Sequence, residues 1–312
     1  MPDPIPVPAR FDVVGVGANS VDIVNVLPAC PAPHGAGAKM RIRRQVVCGG
    51  GQMATALATC ARFGLRAKYV GATGNDERGE RIRRELASHA VDVSDVVMRD
   101  AFTQFAVILL DETTGERIVL WDRDDRLTLL ESELPAEAIA AASLVHVDDV
   151  DEAAAIRAAR IGRAAGRPVT SDLDRLTERT WELVAAVTVP ILAEHLLAEL
   201  TGLDDEERAL RKLRSRHDGL LVVTLGRRGA MALEGERIHV VPAFEVAAVD
   251  TTGAGDVFRG AFIYGLLQGW AVERVLSFAN AAASVACTRL GAINGIPILE
   301  EAYRVLQGSR AV

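Results

Sequence analysis

Asp250-Thr251-Thr252-Gly253-Ala254-Gly255-Asp256 runs without a break into Val257-Phe258-Arg259-Gly260-Ala261-Phe262. Two glycines and an alanine leave the backbone N–H groups around 253–255 uncovered. The Ala/Phe/Leu spacing beyond them is helical, so the stretch predicts a glycine-rich turn opening into a helix over about 254–268. Free N–H groups and the helix dipole make such a start attractive to anions. Asp256 falls in the first helical turn, and taken alone it reads equally well as a capping carboxylate. A phosphate cradle beside a carboxylate is also what phosphoryl transfer needs. The N–H groups stabilise charge on the transferring group, and the carboxylate takes the proton of the attacking hydroxyl.

Working outward, Asp12–Gly17 reads as a first strand, residues 52–63 as a helix after a glycine run, Ala67–Val70 as a strand and Glu77–His89 as a helix. Strands follow at 144–147, 168–171, 188–192 and 219–224 with helices between them, then an antiparallel pair over 229–241 and a last long helix over about 271–288. Such βα alternation implies parallel strands covered on both faces. Two stretches break the rhythm. Lys39–Val47 alternates polar and apolar residues like a half-exposed strand. Phe102–Leu110 and Arg117–Trp121 flank Asp111-Glu112-Thr113-Thr114-Gly115, a hairpin turn. Residues 38–48 and 102–122 are therefore expected to form a small sheet apart from the main one, within a single domain spanning 1–312.

The chain has 312 residues, 49% of them apolar, enough for a sizeable core. Acidic residues outnumber basic ones 42 to 35, for a net charge of −7, which argues against nucleic acid as the main partner. Cys30, Cys48, Cys60 and Cys287 form no CxxC pair and no zinc spacing with the histidines. Reduced thiols are the simpler reading and suit a cytoplasmic protein. MPDPIPVPAR lacks the apolar region of a signal peptide. No apolar run reaches the roughly 20 residues that span a bilayer.

DTTGAGDVFRGAF resembles the C-terminal signature of the ribokinase (PfkB) family of carbohydrate kinases. Other parts agree in order. Cys48-Gly49-Gly50-Gly51 with the helix ending Arg62-Phe63-Gly64 resembles the family's double-glycine motif, and Val70–Asp76 with Gly79 its N-terminal signature. Thr224-Leu225-Gly226-Arg227-Arg228-Gly229 resembles the strand and turn over the ATP phosphates, and Asn280–Ala283 the helix beside the adenine. The resemblance covers about residues 12–300. It implies a ribokinase-like three-layer α/β/α fold with a mostly parallel central sheet and a small β-sheet lid.

The resemblance also implies roles. Asp256 would be the base, with Gly253, Ala254 and Gly255 forming an anion hole. ATP with magnesium would lie near Thr224, Gly226, Gly229 and Asn280. Asp22, five residues after Gly17, with Gly50 and Gly51, would meet a sugar-type substrate; its bland alternative is an exposed loop aspartate. Asp250 and Thr252, with the carbonyls of Ala286, Arg289 and Gly291, would hold potassium, although Gly295 stands where some relatives offer a hydroxyl. Alternatively Asp250 merely ties down the loop.

Some positions depart from the family pattern. Thr55 replaces an Asn that contacts substrate. Leu192-Ala193-Glu194-His195 replaces an Asn-x-x-Glu stretch and leaves only Glu194 as a magnesium–water contact or, more simply, a helix N-terminal carboxylate. Val14–Ser20 lacks the third glycine of a dinucleotide fingerprint, and that reading is rejected.

Three functions stay open: a sugar kinase, a nucleoside or vitamin kinase on the same fold, and a catalytically silent regulatory relative. Asp256 with an intact turn opposes the last. Aromatics at 4% favour a hydrogen-bonding polyol over a flat ring. Lys39, Arg41 and Arg43 recur with period two and read as a solvated strand face or, more sharply, as a clamp for an anionic sugar. A small lid sheet cannot bury Met40, Ile42, Phe105, Val107, Leu109, Val119 and Trp121 by itself, so a homodimer through the lids is expected.

Overall fold

The computed structural model describes residues 10–308; the Pro-rich stretch read above as no signal peptide lies, but for Arg10, outside the described residues. The strands in chain order are β1 (Val13–Val16), β2 (Ser20–Leu27), β3 (Arg44–Gly50), β4 (Ala67–Val70), β5 (Ala72–Gly74), β6 (Val97–Arg99), β7 (Phe105–Asp111), β8 (Arg117–Asp122), β9 (Leu144–Asp148), β10 (Val169–Asp172), β11 (Ile191–Ala193), β12 (Leu221–Thr224), β13 (Ala230–Glu234) and β14 (Arg237–Val241). The helices are α1 (Gln52–Arg62), α2 (Glu77–Ser88), α3 (Ala136–Ala141), α4 (Glu152–Ala164), α5 (Thr180–Ala186), α6 (Glu194–Thr201), α7 (Glu206–Arg214), α8 (Ala254–Leu267), α9 (Val272–Ala286), α10 (Ala292–Gly295) and α11 (Leu299–Gly308).

Strands β4, β1, β9 and β10 pair in parallel in that spatial order. Bridges from Thr170 to Val189 and from Leu173 to Leu192 carry the sheet on to β11 and its parallel neighbour β12. The hairpin of β13 and β14 closes that edge antiparallel. Apolar runs such as Val13-Val14 serve both faces, as a doubly covered sheet requires. Val13 joins a core with Met53, Leu57, Val257, Phe262 and Phe278 on the α1/α8/α9 side. Val14 joins the opposite core with Ile139, Ile156, Leu183, Leu196 and Leu210, beneath α3 to α7. The result is the three-layer α/β/α arrangement expected.

The second sheet has the order β3-β2-β7-β8, and here two expectations need correction. Ser20–Leu27 is its longest strand, not a loop, so Asp22 stands on a central strand. The strand expected over 39–47 begins only at Arg44. A short 3₁₀ turn occupies Gly35–Ala38, and ladder contact with β2 starts where Arg43 N–H meets the Val26 carbonyl at 2.9 Å. Lys39 and Arg41 precede that ladder, and Arg43 pairs with Glu112 at 3.5 Å, so the three cations share no strand face. The 111–115 turn forms as read, with Asp111 accepting from the Thr113 amide and Gly115 at φ +73°.

Candidate active site

Helix α8 begins at Gly253, whose φ of +78° belongs to the left-handed region. A side chain there would also collide with Ala292, 2.7 Å from the ideal Cβ position. Glycine therefore lets the turn nest against α10. Of the three amides expected to form the anion hole, that of Ala254 already donates to the Thr251 carbonyl at 3.2 Å. Those of Gly253 and Gly255 make no such bond. Asp256 follows in the first turn, partly buried, and its carboxylate makes no hydrogen bond within the chain; the helix carries no side-chain N-cap. The capping role, equally open from sequence, is thus not the one adopted.

The surroundings of Asp256 are acidic. Burial raises its pKa well above the ordinary aspartate value, and the Asp172 carboxylate at the end of β10 adds to the rise. Arg259 counteracts both from one turn further along α8. Its guanidinium holds Asp172 at 2.7 Å, with both side chains buried.

Asp22 projects from β2 and accepts from Ser20 Oγ at 2.8 Å. Burial raises it to about 6, moderated by the Ser20 hydroxyl and increased by Asp250 and Glu85. Its strand neighbours bring it against the glycine run: Asp22 pairs with Cys48, and Ser20 with Gly50. Gly51, at φ +91°, caps α1 and passes within 2.6 Å of Asn19 Cα, measured from its ideal Cβ. Thr55, one turn into α1, is fully buried with its hydroxyl unpartnered. The structure thus gathers Asp22, Gly50 and Gly51 on one wall.

The nucleotide-side residues lie at the other end of the sheet. Thr224 ends β12 opposite Ala193, one residue before Glu194. Gly226 has open space around its Cα, whereas a Cβ on Gly229 would stand 2.1 Å from the Val241 carbonyl. Asn280 donates to the carbonyls of Val241 and Pro242 at 3.0 and 3.1 Å, so its amide group shapes the segment after β14. Glu194 pairs with Arg228 at 2.8 Å, as Glu206 does. The open turn at 226 and the two unpaired amides at 253 and 255 fit a polyphosphate. Among the described residues no three His, Cys, Asp or Glu side chains are grouped to hold a metal alone.

Asp250 is buried and ties two loops together. Its Oδ1 accepts from Thr252 N–H at 2.8 Å and its Oδ2 from Gly291 N–H at 2.9 Å. The Thr252 hydroxyl is buried without a partner. The Arg289 side chain turns away to Glu301 and the Ile296 carbonyl.

Sequence reasoning missed several groups here. Asp148 Oδ2 accepts from the Ala18 amide at 2.6 Å, and burial raises its pKa to about 8. Asn19 donates to Tyr69 and to the Ala72 carbonyl. Arg123 clasps Asp151 at 2.9 Å, and Arg175 reaches Asp149. The carboxylates follow β9 and β10, and carboxyl ends of parallel strands are where open sheets bind ligands; Val147-Asp148-Asp149 and Ser171-Asp172-Leu173-Asp174 carried that signal. Arg117, on β8 of the second sheet, donates to the Thr251 hydroxyl and so brings that sheet onto the glycine turn.

A glycine turn with unpaired amides, an unbonded carboxylate one step beyond it and a group of buried carboxylates at the strand ends are set together on a doubly wound sheet. The pfkB family carbohydrate kinase model matches residues 12–299, and the chain belongs to that family. It is 30% identical over 288 residues to fructokinase-1 of Oryza sativa subsp. japonica, covering 83% of this chain and 88% of the relative. It is 34% identical over 255 residues to an ATP-dependent ribose-1-phosphate kinase of Halopiger xanaduensis, covering 80% and 84%. The structure of a presumed ribokinase from Agrobacterium tumefaciens superposes with a TM-score of 0.91 at 28% identity, over 97% of this chain and 99% of that one. Members of this family are phosphotransferases with a hydroxyl acceptor.

Proposed function

We propose that this chain transfers the γ-phosphoryl group of ATP to a hydroxyl of a sugar or sugar-derived molecule, as one kinase domain whose small sheet is a lid. The observation that carries the reading is Asp256: a carboxylate with every lone pair unspent, beside the unpaired amides of Gly253 and Gly255. Asp256 takes the proton as the acceptor oxygen bonds to phosphorus and the bond to the ADP oxygen breaks. The two amides, with the α8 dipole, offset charge on the transferring oxygens. Magnesium, held with the nucleotide, would neutralise phosphate charge. Asp22 and the Gly50–Gly51 backbone orient the acceptor, whereas Thr55 is fully buried in α1. The lid excludes water that would otherwise accept the phosphoryl group.

A neutral polyol fits this pocket best. Asp22 supplies a carboxylate acceptor for hydroxyls, while Arg123, Arg175 and Arg259 each already hold a carboxylate. A nucleoside acceptor is the second reading. It draws on Trp121, 60% exposed on an edge strand, which shares a sheet face with Asp22 through Ala106. Measuring ADP release over a panel of sugars, sugar acids, sugar phosphates and nucleosides decides between them. No turnover with any acceptor would point to the silent relative.

Two further assignments belong to this reading. Thr252, with its buried free hydroxyl, Asp250 and the carbonyls of Ala286, Arg289 and Gly291 would hold potassium. A homodimer through the lids would cover the sheet face opposite Asp22, where Val47, Ile23, Val107 and Leu120 form a cross-strand apolar row. Free thiols and the absence of any described helix long and apolar enough to cross a membrane agree with a cytoplasmic place.

A further inference from the structure

We infer that the buried Arg259–Asp172 pair is a positioning device that sets the charge state of Asp256. This inference rests on the assignment of Asp256 as base. Arg259 lies three residues after Asp256, so the two share one face of α8. The helix start is tight: a Cβ on Gly255 would stand 2.8 Å from Arg259 Nη1, so the guanidinium lies directly under the anion turn. Arg259 bonds Asp172 at 2.7 Å, and the two residues are only 4% and 1% exposed. Arg259 Nε and Asp172 Oδ2 are both buried without a partner. A pair kept for stability alone would be expected to spend those atoms, because an unmet buried polar group costs about 1–3 kcal/mol.

The groups facing this cluster come from several elements. Asp256 faces Asp172 and Asp174 from β10 and the loop after it, Asp22 from β2 and Arg259 from its own helix. Asp172 faces Arg259, Asp149 and Asp174. Behind Arg259 stands His146 of β9, fully buried, bonded to Thr170 at 2.9 Å and held neutral by burial and by Arg259 itself. Arg259 is therefore the cation that opposes the carboxyl groups of Asp172 and Asp256. With it, Asp256 can ionise beside Asp172. Without it, two buried carboxyl groups would share the site and one would keep its proton.

The pair's two members act on Asp256 in opposite directions, and that separates this role from a structural one. Removing the cation disfavours ionised Asp256, and removing Asp172 favours it. In Arg259→Gln the acid limb of kcat/KM against pH should move up by about one unit or more, the usual effect of an opposite charge at this range. Arg259→Lys should restore most of it, and Asp172→Asn should move the limb down. Titration of the Asp256 carboxyl by 13C NMR in the nucleotide-free protein should shift in the same senses. If the limbs and the NMR titrations stay at the wild-type position while thermal stability falls, the pair is only structural and the inference fails. Should Arg259→Gln not fold, Arg259→Lys and Asp172→Asn still give the answer. Asp256→Asn serves as the control. Activity retained there would remove the base assignment, while the NMR titration would still judge the pairing.

Discussion

The carboxylate of Asp22 lies against the α-carbon of Gly50: a β-carbon at residue 50 would stand 2.0 Å from Asp22 Oδ2. Adjacent strands bring the two together, and Asp22 cannot keep its position beside any larger residue. Gly50→Ala should therefore push Asp22 aside. A misplacement of about 1 Å can cost on the order of 10²-fold in turnover efficiency. The loss should appear in KM for the acceptor and leave KM for ATP unchanged. Steady-state kinetics with both substrates varied would show it, and an unaltered acceptor KM would leave Asp22 without a substrate role.

Asp22 itself sets a pH dependence. Burial raises it to about 6, so it is ionised, and able to accept from two hydroxyls, only above that value. Acceptor affinity should fall as pH drops through about 6, by up to roughly tenfold per unit if only the ionised form binds. The stability of the free protein moves oppositely. A carboxyl raised on folding contributes stability that is present below its ordinary value and lost as pH rises through about 6. Calorimetric titration between pH 5 and 8 checks the affinity, and Asp22→Asn should flatten the profile.

Asp256→Asn keeps the shape of the helix start and removes the proton acceptor. Turnover should fall by roughly 10²–10⁴-fold, the usual worth of a positioned base, while ATP binding measured by fluorescence or calorimetry is retained. Near-normal turnover would reassign the proton to another group.

Asp250 ties two loops together and is proposed to help hold a cation, and one variant tests both. Its oxygens serve the amides of Thr252 and Gly291, so Asp250→Asn turns a donor towards one of them. Loss of such a buried bond costs about 1–3 kcal/mol, and denaturant unfolding should report it with or without potassium. If the site also holds a cation, wild-type turnover should be higher in potassium than in tetramethylammonium buffer, and the variant should lose that difference. Equal wild-type rates in the two buffers would leave Asp250 as a loop tie.

Lid pairing makes a prediction about assembly. Leu120 is 54% exposed and Val47 38% at the two ends of the apolar row. A second lid would cover that row. Leu120→Glu should convert a dimer at micromolar concentration into a monomer in sedimentation velocity, with little change in the secondary structure of the main domain. A wild-type protein that sediments as a monomer would mean that this row stays open to solvent.

The local part of the site was legible in the sequence because it is held within a few residues. The glycine turn, the first turn of α8 and the helix behind it all depend on neighbours in the chain. So do the hairpin at 111–115 and the long helices, whose apolar spacing is strong. The second sheet was read less well. Period two across Lys39–Val47 marked alternation but not where pairing begins, since a ladder starts only where a partner strand lies alongside. Ser20–Leu27 was not seen as a strand at all; it follows the first strand after a three-residue break and carries no turn signal of its own.

By itself the sequence determined the order of the elements and the motif-borne residues, Gly253 to Asp256 above all, because backbone conformation and capping are short-range. Whether Asp256 caps its helix or stays unbonded was decided only in three dimensions. The same holds for Asp22, which needed the register of β2 against β3 to meet Gly50. The pairing of Arg259 with Asp172, 87 positions apart, lay furthest beyond reading. Asp172 carries only the signal of a strand end and Arg259 none, and the two meet only once α8 has packed across the end of β10.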